Sequence, residues 1–184
     1  MAIRNIRIEG DPILRKISKS VKEITQRTDE LIDDMIESLG QLNGVGLAAV
    51  QVGVLKRICI ICMDADDLRE NEDEKSAEKG EYRTHTDGEN LIVINPEVIE
   101  AENGTQTGNE GCLSTPGKWG VVTRPMRVIL KALDRNLEPY ELKAEGLLAR
   151  AICHECDHMD GRLYIDLVEG DIFIENKDEE EEKE

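Results

Sequence analysis

The sequence has few aromatic residues, a deficit of positive charge and no long apolar run. Phe, Trp and Tyr make up 3% of the 184 residues, so the core must be built from aliphatic side chains. Only 23 Lys and Arg stand against 40 Asp and Glu, and the net charge of −17 argues against direct contact with nucleic acid or with an anionic membrane surface. No apolar run is long enough to span a bilayer and no signal peptide is recognisable, so we expect a cytoplasmic location and no membrane partner.

The five cysteines do not form the pattern of a disulfide-stabilised protein. Their number is odd, and a chain of this length can bury a substantial core without cross-links, which favours reduced thiols or metal ligands. Two Cys-x-x-Cys pairs, Cys59/Cys62 and Cys153/Cys156, would suit a four-cysteine zinc site. The first pair, however, lies in an apolar, β-branched run that predicts a strand, on which residues three apart point to opposite faces. We therefore interpret these four thiols as packing residues.

A His-Glu-x-x-His pattern late in the chain predicts a metal site. Residues 145–159 contain no proline and carry apolar residues at helical spacing, which predicts a helix that stops near Gly161. Residues four apart share one face of a helix, so His154 and His158 can bind one metal ion, and Glu155 can reach a water on it. The alternative is a pair of buried histidines bonded to the backbone. The chain has three histidines and two of them fall in this pattern, which favours the metal site.

The other patterns predict an α+β fold, with short antiparallel or mixed strands packed around the central metal-binding helix and one helix near the N-terminus. The N-terminal helix is predicted from an N-cap at Thr28 to about residue 43. Asn95-Pro96 is expected to stop a strand, and an extended piece at 163–165 and a helical segment at 166–174 are expected after the central helix. The predicted strands are 57–63, 91–94, 98–101, 121–123, 128–133 and 140–142.

One catalytic domain is predicted over residues 1–167, followed by a C-terminal helical segment and acidic tail at 168–184. Within the domain, residues 64–90 are acid-rich and poor in apolar side chains, so we expect an inserted, mobile surface loop. His85 is expected to be exposed on this loop, without a role in the site.

The two histidines of the pattern need a third protein ligand, because a catalytic zinc-type site has three such ligands and one open position. Three acidic residues downstream could act as this ligand, Asp166, Glu169 and Asp171, but nothing in the surrounding sequence favours one of them over the others. Upstream, Cys112 lies among turn-forming residues, and a thiolate is a strong soft ligand. The stretch around Cys112 taken alone favours an ordinary semi-buried thiol. As a third ligand beside the two histidines, however, the thiol is a better candidate than the downstream acids, which stay open.

Three stretches, in this order, resemble the peptide deformylase family: Gly-Val-Gly-Leu-Ala-Ala-Val-Gln at 44–51, Glu-Gly-Cys-Leu-Ser at 110–114 and His-Glu-Cys-Asp-His at 154–158. The resemblance covers about residues 5–167. It implies an enzyme that removes the formyl group from N-formylmethionyl nascent peptides. It also implies that Cys112, His154 and His158 bind one divalent ion, natively iron(II), while zinc, nickel and cobalt also suit these ligands.

The resemblance further implies roles for individual residues. Glu155 is the general acid/base for a metal-activated water that attacks the formyl carbon. Gln51 and the backbone N–H of Leu113 stabilise the oxyanion. The residues implied to contact the peptide are Gly46 and Gly111 on the flanking strands, and Val45, Leu147 and the Arg150–Ala151 region near the methionine pocket.

The expected partners are the formylated peptide itself and, transiently, the nascent chain at the ribosome. We expect a monomer that does not bind nucleic acid directly. Trp119 departs from the common family pattern and is expected either at the substrate groove or partly buried at its rim. Two alternatives stay open on sequence grounds. One is a zinc endopeptidase that uses a downstream acid, and the other is a non-catalytic binding module stabilised by a metal.

Overall fold

A computed structural model describes residues 2–42, 44–63, 82–86, 88–100 and 104–174. Within these ranges, the two α-helices are α1 (Gln26–Leu42) and α2 (Gly146–Met159). Short 3-10 helices lie at Pro12–Arg15, Ala49–Val52 and Tyr164–Asp166. The strands are β1 (Gly46–Ala48), β2 (Ile58–Ile61), β3 (Leu91–Glu100), β4 (Thr105–Gly111), β5 (Lys118–Pro125), β6 (Arg127–Leu133), β7 (Pro139–Glu145) and β8 (Phe173–Ile174).

The strands form two antiparallel sheets, and α2 contacts strands of both. The larger sheet has the order β1-β2-β3-β6-β7, and the smaller has the order β4-β5-β8. This arrangement confirms the predicted α+β class. No helix within the described ranges combines the length and the apolar character that crossing a bilayer requires.

Around β2 and the first half of β3, aliphatic side chains cover both faces of the larger sheet. On one face, Val93 and Leu130 pack with Leu148 and Ile152 of α2. On the other, Ile58 and Ile60 pack against α1 through Ile32, Met35 and Leu39. Full burial of one such side chain contributes about 1.5–3 kcal/mol, so these contacts fix α2 firmly on the sheet.

Helix α1 begins two residues before the predicted N-cap. Thr25 takes the capping position, because the backbone N–H of Thr28 donates to its hydroxyl oxygen over 3.3 Å. Thr28 is buried inside the first turn, and its own hydroxyl lies 3.0 Å from that of Thr25. The prediction of Thr28 as the N-cap was therefore wrong.

Strand β3 continues through Asn95-Pro96, where the sequence predicted a stop. The register with β6 shifts between Ile94 and Glu97, and Asn95 adopts a φ of 51°. This local irregularity accommodates Pro96, which has no backbone N–H to donate to the neighbouring strand. The Asn95 side chain bonds the N–H and the C=O of Val21 at 2.8 Å each. Strand β4 was not predicted, since its polar and glycine residues show no apolar alternation.

The prediction for the segment after α2 was wrong in both parts. Leu163 donates its backbone N–H to the Asp166 carboxylate over 2.9 Å, which closes a 3-10 turn where an extended piece was expected. Gly170 adopts a φ of +93°, which interrupts a helix across 166–174, and Phe173–Ile174 instead pairs with Lys118 and Trp119 of β5. Residues 175–184 lie outside the described residues.

Only the end of the acidic 64–90 segment can be described, since 64–81 and 87 lie outside the described residues. There Thr86 is buried and donates its hydroxyl to the Met63 carbonyl over 2.9 Å. His85 beside it is half-buried, so the expectation of an exposed side chain was wrong. This end of the segment therefore packs on the domain.

Candidate metal centre and active site

Helix α2 and the end of β4 bring three metal-ligand side chains together. His154 and His158 lie one helical turn apart, and Cys112 follows directly after β4. The ligand atoms of Cys112, His154 and His158 all lie within 4.8 Å of one another, and the Cys112 Sγ to His158 Nε2 distance is 3.2 Å. In the described part of the chain, this is the one such cluster of three or more His, Cys, Asp or Glu residues.

The three downstream acids do not join this cluster. Asp166 binds the Arg15 guanidinium, with 3.1 Å between Nη2 and Oδ1. Glu169 and Asp171 are exposed. The geometry therefore favours the mid-chain thiol over a downstream carboxylate as the third ligand.

The chemistry of this cluster suits a single divalent ion. In a tetrahedral zinc site, bonds of about 2.3 Å to sulfur and 2.0–2.1 Å to nitrogen separate the ligand atoms by about 3.3–3.6 Å, and the distance of 3.2 Å between Cys112 Sγ and His158 Nε2 is close to this value. One oxygen of Glu155, Oε2, is buried beside the cluster and has no partner among the described residues. A buried carboxylate oxygen normally has a hydrogen-bond partner, so a water at the open position of the ion would satisfy it.

Glu110 orients the first histidine ligand. Its Oε2 lies 2.9 Å from His154 Nδ1, which places the ring proton on Nδ1 and leaves the Nε2 lone pair for an ion. Arg124 donates to both oxygens of the Glu110 carboxylate, at 2.9 and 3.0 Å, and Arg150 donates to Oε1 at 2.8 Å. Burial opposes the charge of Glu110, but the His154 and Arg124 hydrogen bonds outweigh it and hold the Glu110 pKa well below its usual range.

The sequence interpretation gave Glu110 no role, although it lies in the second stretch of resemblance. Its two arginine partners come from β5 and α2, at 14 and 40 residues' separation, so no local pattern joins them. Arg124 also bonds Asp157 of α2 over 2.5 Å. The Arg150 side chain belongs to this buried network, while the expectation that the Arg150–Ala151 region neighbours the methionine pocket stays a prediction.

The ionisable groups of the cluster differ in their proton affinity. Without an ion, burial disfavours the charged His154 ring, but its hydrogen bonds with Cys112 and Glu110 prevail and raise its pKa to about 10, so an ion at Nε2 would take the place of the second ring proton. Burial and the nearby His154 charge lower the pKa of His158 well below the usual value. Burial raises the pKa of Glu155 to about 7, a value at which a carboxylate both accepts and releases protons near neutrality.

The Gln51 side chain is oriented by the backbone beside it. Ala48 donates its N–H to Gln51 Oε1 over 2.8 Å, so the amide nitrogen points the other way. Nε2 lies 3.4 Å from the Cys112 sulfur and 3.2 Å from the Ser114 hydroxyl. Gln51 is buried in the short helix Ala49–Val52, which follows β1 directly. Its N–H group is therefore held at the edge of the cluster.

The other implied site residues lie around this centre. Gly46 of β1 is buried against Glu155, and Leu113 lies in the turn that Thr115 N–H closes on the Cys112 carbonyl. The Trp119 ring covers the Cα of Gly111 and is 49% exposed. Val45 is exposed, and Leu147 is half-buried against the core.

The remaining cysteines pack as predicted. Cys59 is buried on the α2 side of the large sheet, and Cys62 packs against the α1 side, which confirms that they point to opposite faces. Cys153 and Cys156 pack against the α2 side of the core. Burial raises the pKa of Cys153 to about 11, so this thiol is protonated at neutral pH.

Two antiparallel sheets around a helix that carries His-Glu-x-x-His, with a thiol from the smaller sheet beside the two imidazoles, are the features of a metal-dependent hydrolase. The family model described as Polypeptide deformylase matches residues 3–171. The chain belongs to the peptide deformylase family, enzymes that use a divalent metal ion and remove the N-formyl group from nascent peptides.

Individual relatives agree with this assignment. A peptide deformylase from Lachnoclostridium phytofermentans is 49% identical over 184 residues, which span 100% of both chains. One from Agathobacter rectalis is 48% identical over 92% of each chain. The crystal structure of the Ehrlichia chaffeensis peptide deformylase superposes with a TM-score of 0.81 at 33% identity and covers 91% of this chain and 89% of that one. The alternatives of an endopeptidase and of a non-catalytic module are therefore wrong.

Proposed function

We propose that this peptide deformylase binds one ion, natively iron(II), through Cys112, His154 and His158, and that Glu155 is its general acid/base. The single observation that carries the proposal is the convergence of the three ligand atoms within 4.8 Å, with the buried Glu155 carboxylate beside them. One thiolate and two neutral imidazoles leave one positive charge on a divalent ion, and they suit iron(II), zinc, nickel or cobalt.

The ion, when bound, lowers the pKa of a water from 15.7 towards about 7 and so supplies a nucleophile at neutral pH. Glu155 accepts the proton of the attacking water at a carboxylate oxygen and delivers it to the amine nitrogen as formate leaves. Its pKa of about 7 suits both transfers. Its burial keeps bulk water from competing for that proton.

The developing oxyanion is stabilised by two N–H donors of the protein. The Gln51 Nε2 group is fixed by the Ala48 N–H bond, so it needs no reorientation during the reaction. The backbone N–H of Leu113 comes from the turn at residues 112–115, in which Ser114 N–H already points to the Cys112 sulfur over 3.4 Å. Loss of one such donor typically costs about 2.7–4 kcal/mol of transition-state stabilisation.

The peptide is proposed to bind as an added strand between the two sheets. Among the described strands, β1 ends the larger sheet and β4 ends the smaller, so each has an edge that can pair with an extended chain. Gly46 and Gly111 lie on these two strands, while Val45 and Leu147 contribute apolar surface for the methionine side chain. The Ehrlichia chaffeensis relative has been crystallised in complex with actinonin, which supports a ligand site in this fold.

The wider setting is proposed from composition and family. A monomeric, cytoplasmic enzyme with one catalytic domain over residues 1–167 would meet the nascent chain transiently at the ribosome. The net charge of −17 disfavours stable contact with RNA, so the contact is brief and made through the peptide.

The test compares the wild type with Cys112→Ser and Glu155→Ala on a formyl-Met-Ala peptide, after purification without oxygen. We expect Glu155→Ala to retain the metal at wild-type stoichiometry while the turnover falls by several orders of magnitude. We expect Cys112→Ser to lose both the metal and the activity. Near-normal metal content in Cys112→Ser would remove the thiol from the ligand set, and undiminished turnover in Glu155→Ala would remove the carboxylate from the mechanism.

A further inference from the structure

Gly46 lies in direct contact with the Glu155 side chain. A Cβ atom built on Gly46 would lie 2.3 Å from Glu155 Oε1, 2.7 Å from Cδ and 2.9 Å from Cγ. All three distances are shorter than ordinary van der Waals contact between such atoms. The end of the Glu155 side chain therefore lies flat against the backbone at Gly46.

Position 46 requires a glycine because there is no space for a Cβ atom, and not because the backbone adopts a conformation that only glycine tolerates. The positive-φ residues of the described chain do not include Gly46, which lies in regular antiparallel pairing with Ile61. An alanine could adopt this backbone without strain. The side chain that it would displace is buried on α2, 4% exposed, with little room to move.

Packing is the observed restraint on this part of Glu155. Its Oε2 has no hydrogen-bond partner among the described residues, so none of their donor groups holds that oxygen in place. By contrast, His154 and Gln51 are each held by a hydrogen bond at 2.8–2.9 Å. A buried side chain without such a bond takes its position from the surfaces it touches, and the backbone of β1 is one of them.

We propose that Gly46 is a positioning residue for Glu155, in addition to its place on the strand that flanks the peptide. The missing Cβ opens the slot that the carboxylate occupies, and thereby sets the distance from Glu155 to the attacking water and the amine. This inference rests on the proposed role of Glu155 as the general acid/base. It assigns to Gly46 an effect on kcat, whereas a residue that only flanks the peptide would affect KM.

A double-mutant cycle tests the proposal with Gly46→Ala, Glu155→Ala and the double variant. Because a misplacement of about 1 Å can cost 10²-fold in rate, Gly46→Ala should lower kcat by about 100-fold with a much smaller change in KM. In the Glu155→Ala background, the same substitution should leave the residual kcat unchanged. Metal stoichiometry should equal that of the wild type in all four proteins.

Thermal unfolding gives a second readout that does not depend on activity. Gly46→Ala should lower Tm by several degrees, because the added methyl group overpacks a full interior, and truncation of Glu155 should cancel that loss in the double variant. Gly40→Ala is the matched control, since Gly40 is exposed on α1 and its added methyl group would meet no atom within 4 Å. It should leave kcat and KM at wild-type values.

The outcomes separate this proposal from the proposed function. If Glu155→Ala keeps wild-type kcat, the acid/base role fails and the positioning role falls with it. If Glu155→Ala keeps only a small residual kcat, the acid/base role stands. The positioning role is then overturned if Gly46→Ala changes only KM, or if it lowers kcat and Tm by the same factor and amount in both backgrounds.

Discussion

Replacing Glu110 with glutamine removes one negative charge from a buried network and keeps the size of the side chain. In the wild type, the carboxylate faces two guanidinium groups and the His154 ring, and Glu110, Arg124 and Arg150 are each less than 10% exposed. After the change, Asp157 is the carboxylate left to Arg124, and Arg150 keeps its bond to the Val122 carbonyl at 3.0 Å. One positive charge in the network thus loses its buried counter-charge.

The expected loss of stability follows from this geometry. Removal of one partner from a buried ion pair destabilises a protein by about 3–5 kcal/mol, and the amide oxygen retains one hydrogen bond, so we expect about 3 kcal/mol. We also expect metal affinity to fall by about 10–100-fold, because His154 loses the anionic acceptor that fixes its tautomer. The matched control is Glu145→Gln. Glu145 forms an ion pair with Arg127 at 2.5 Å, and both side chains are about one-third exposed, so the loss of this pair should lower the free energy of unfolding by about 0–1 kcal/mol.

Two measurements decide the matter. Urea unfolding of the metal-free proteins, followed by circular dichroism, gives the free energy of unfolding, and competition with a chelator gives the affinity for zinc, which avoids iron oxidation. If Glu110→Gln loses no more stability than Glu145→Gln and binds zinc as tightly as the wild type, then the network neither holds the fold together nor orients the ligand.

Three further predictions follow from individual contacts. The pKa of Glu110 is lower in the folded state than its ordinary value of 4.5, so the Glu110 carboxylate contributes its full stabilisation above about pH 4.5 and loses it progressively as the pH falls below that value. The difference in unfolding free energy between the metal-free wild type and metal-free Glu110→Gln should therefore narrow below about pH 4.5. Gly161 has a φ of +74° and its added Cβ would lie 2.7 Å from the Arg15 carbonyl oxygen, so Gly161→Ala should lower stability by about 1–3 kcal/mol in urea unfolding while the activity per folded molecule stays the same. Gln51→Ala should lower kcat by about 10²–10³-fold at unchanged metal content, and a loss below tenfold would remove Gln51 from the oxyanion site.

Local patterns in the sequence determined the metal-binding helix. Helical spacing predicted a helix over 145–159, and the structure has α2 at Gly146–Met159. Strand alternation predicted that Cys59 and Cys62 face opposite ways, which the two core clusters confirm. The class of the fold also followed from the order of elements. The helix and the two cysteine orientations depend on residues within one helix or strand, and the fold class depends on the order of such segments along the chain, so the sequence determines all three.

Only the tertiary structure shows which residues far apart in the chain come into contact. Helical spacing could place His154 and His158 together, but the choice between Cys112 and the downstream acids depended on where the end of β4 lies. The strand partner of Phe173–Ile174 and the bond from Glu110 to His154 likewise depend on packing between distant segments. The close contact of Gly46 with Glu155 is also tertiary, because the sequence shows that position 46 lacks a side chain but does not show which side chain packs against it.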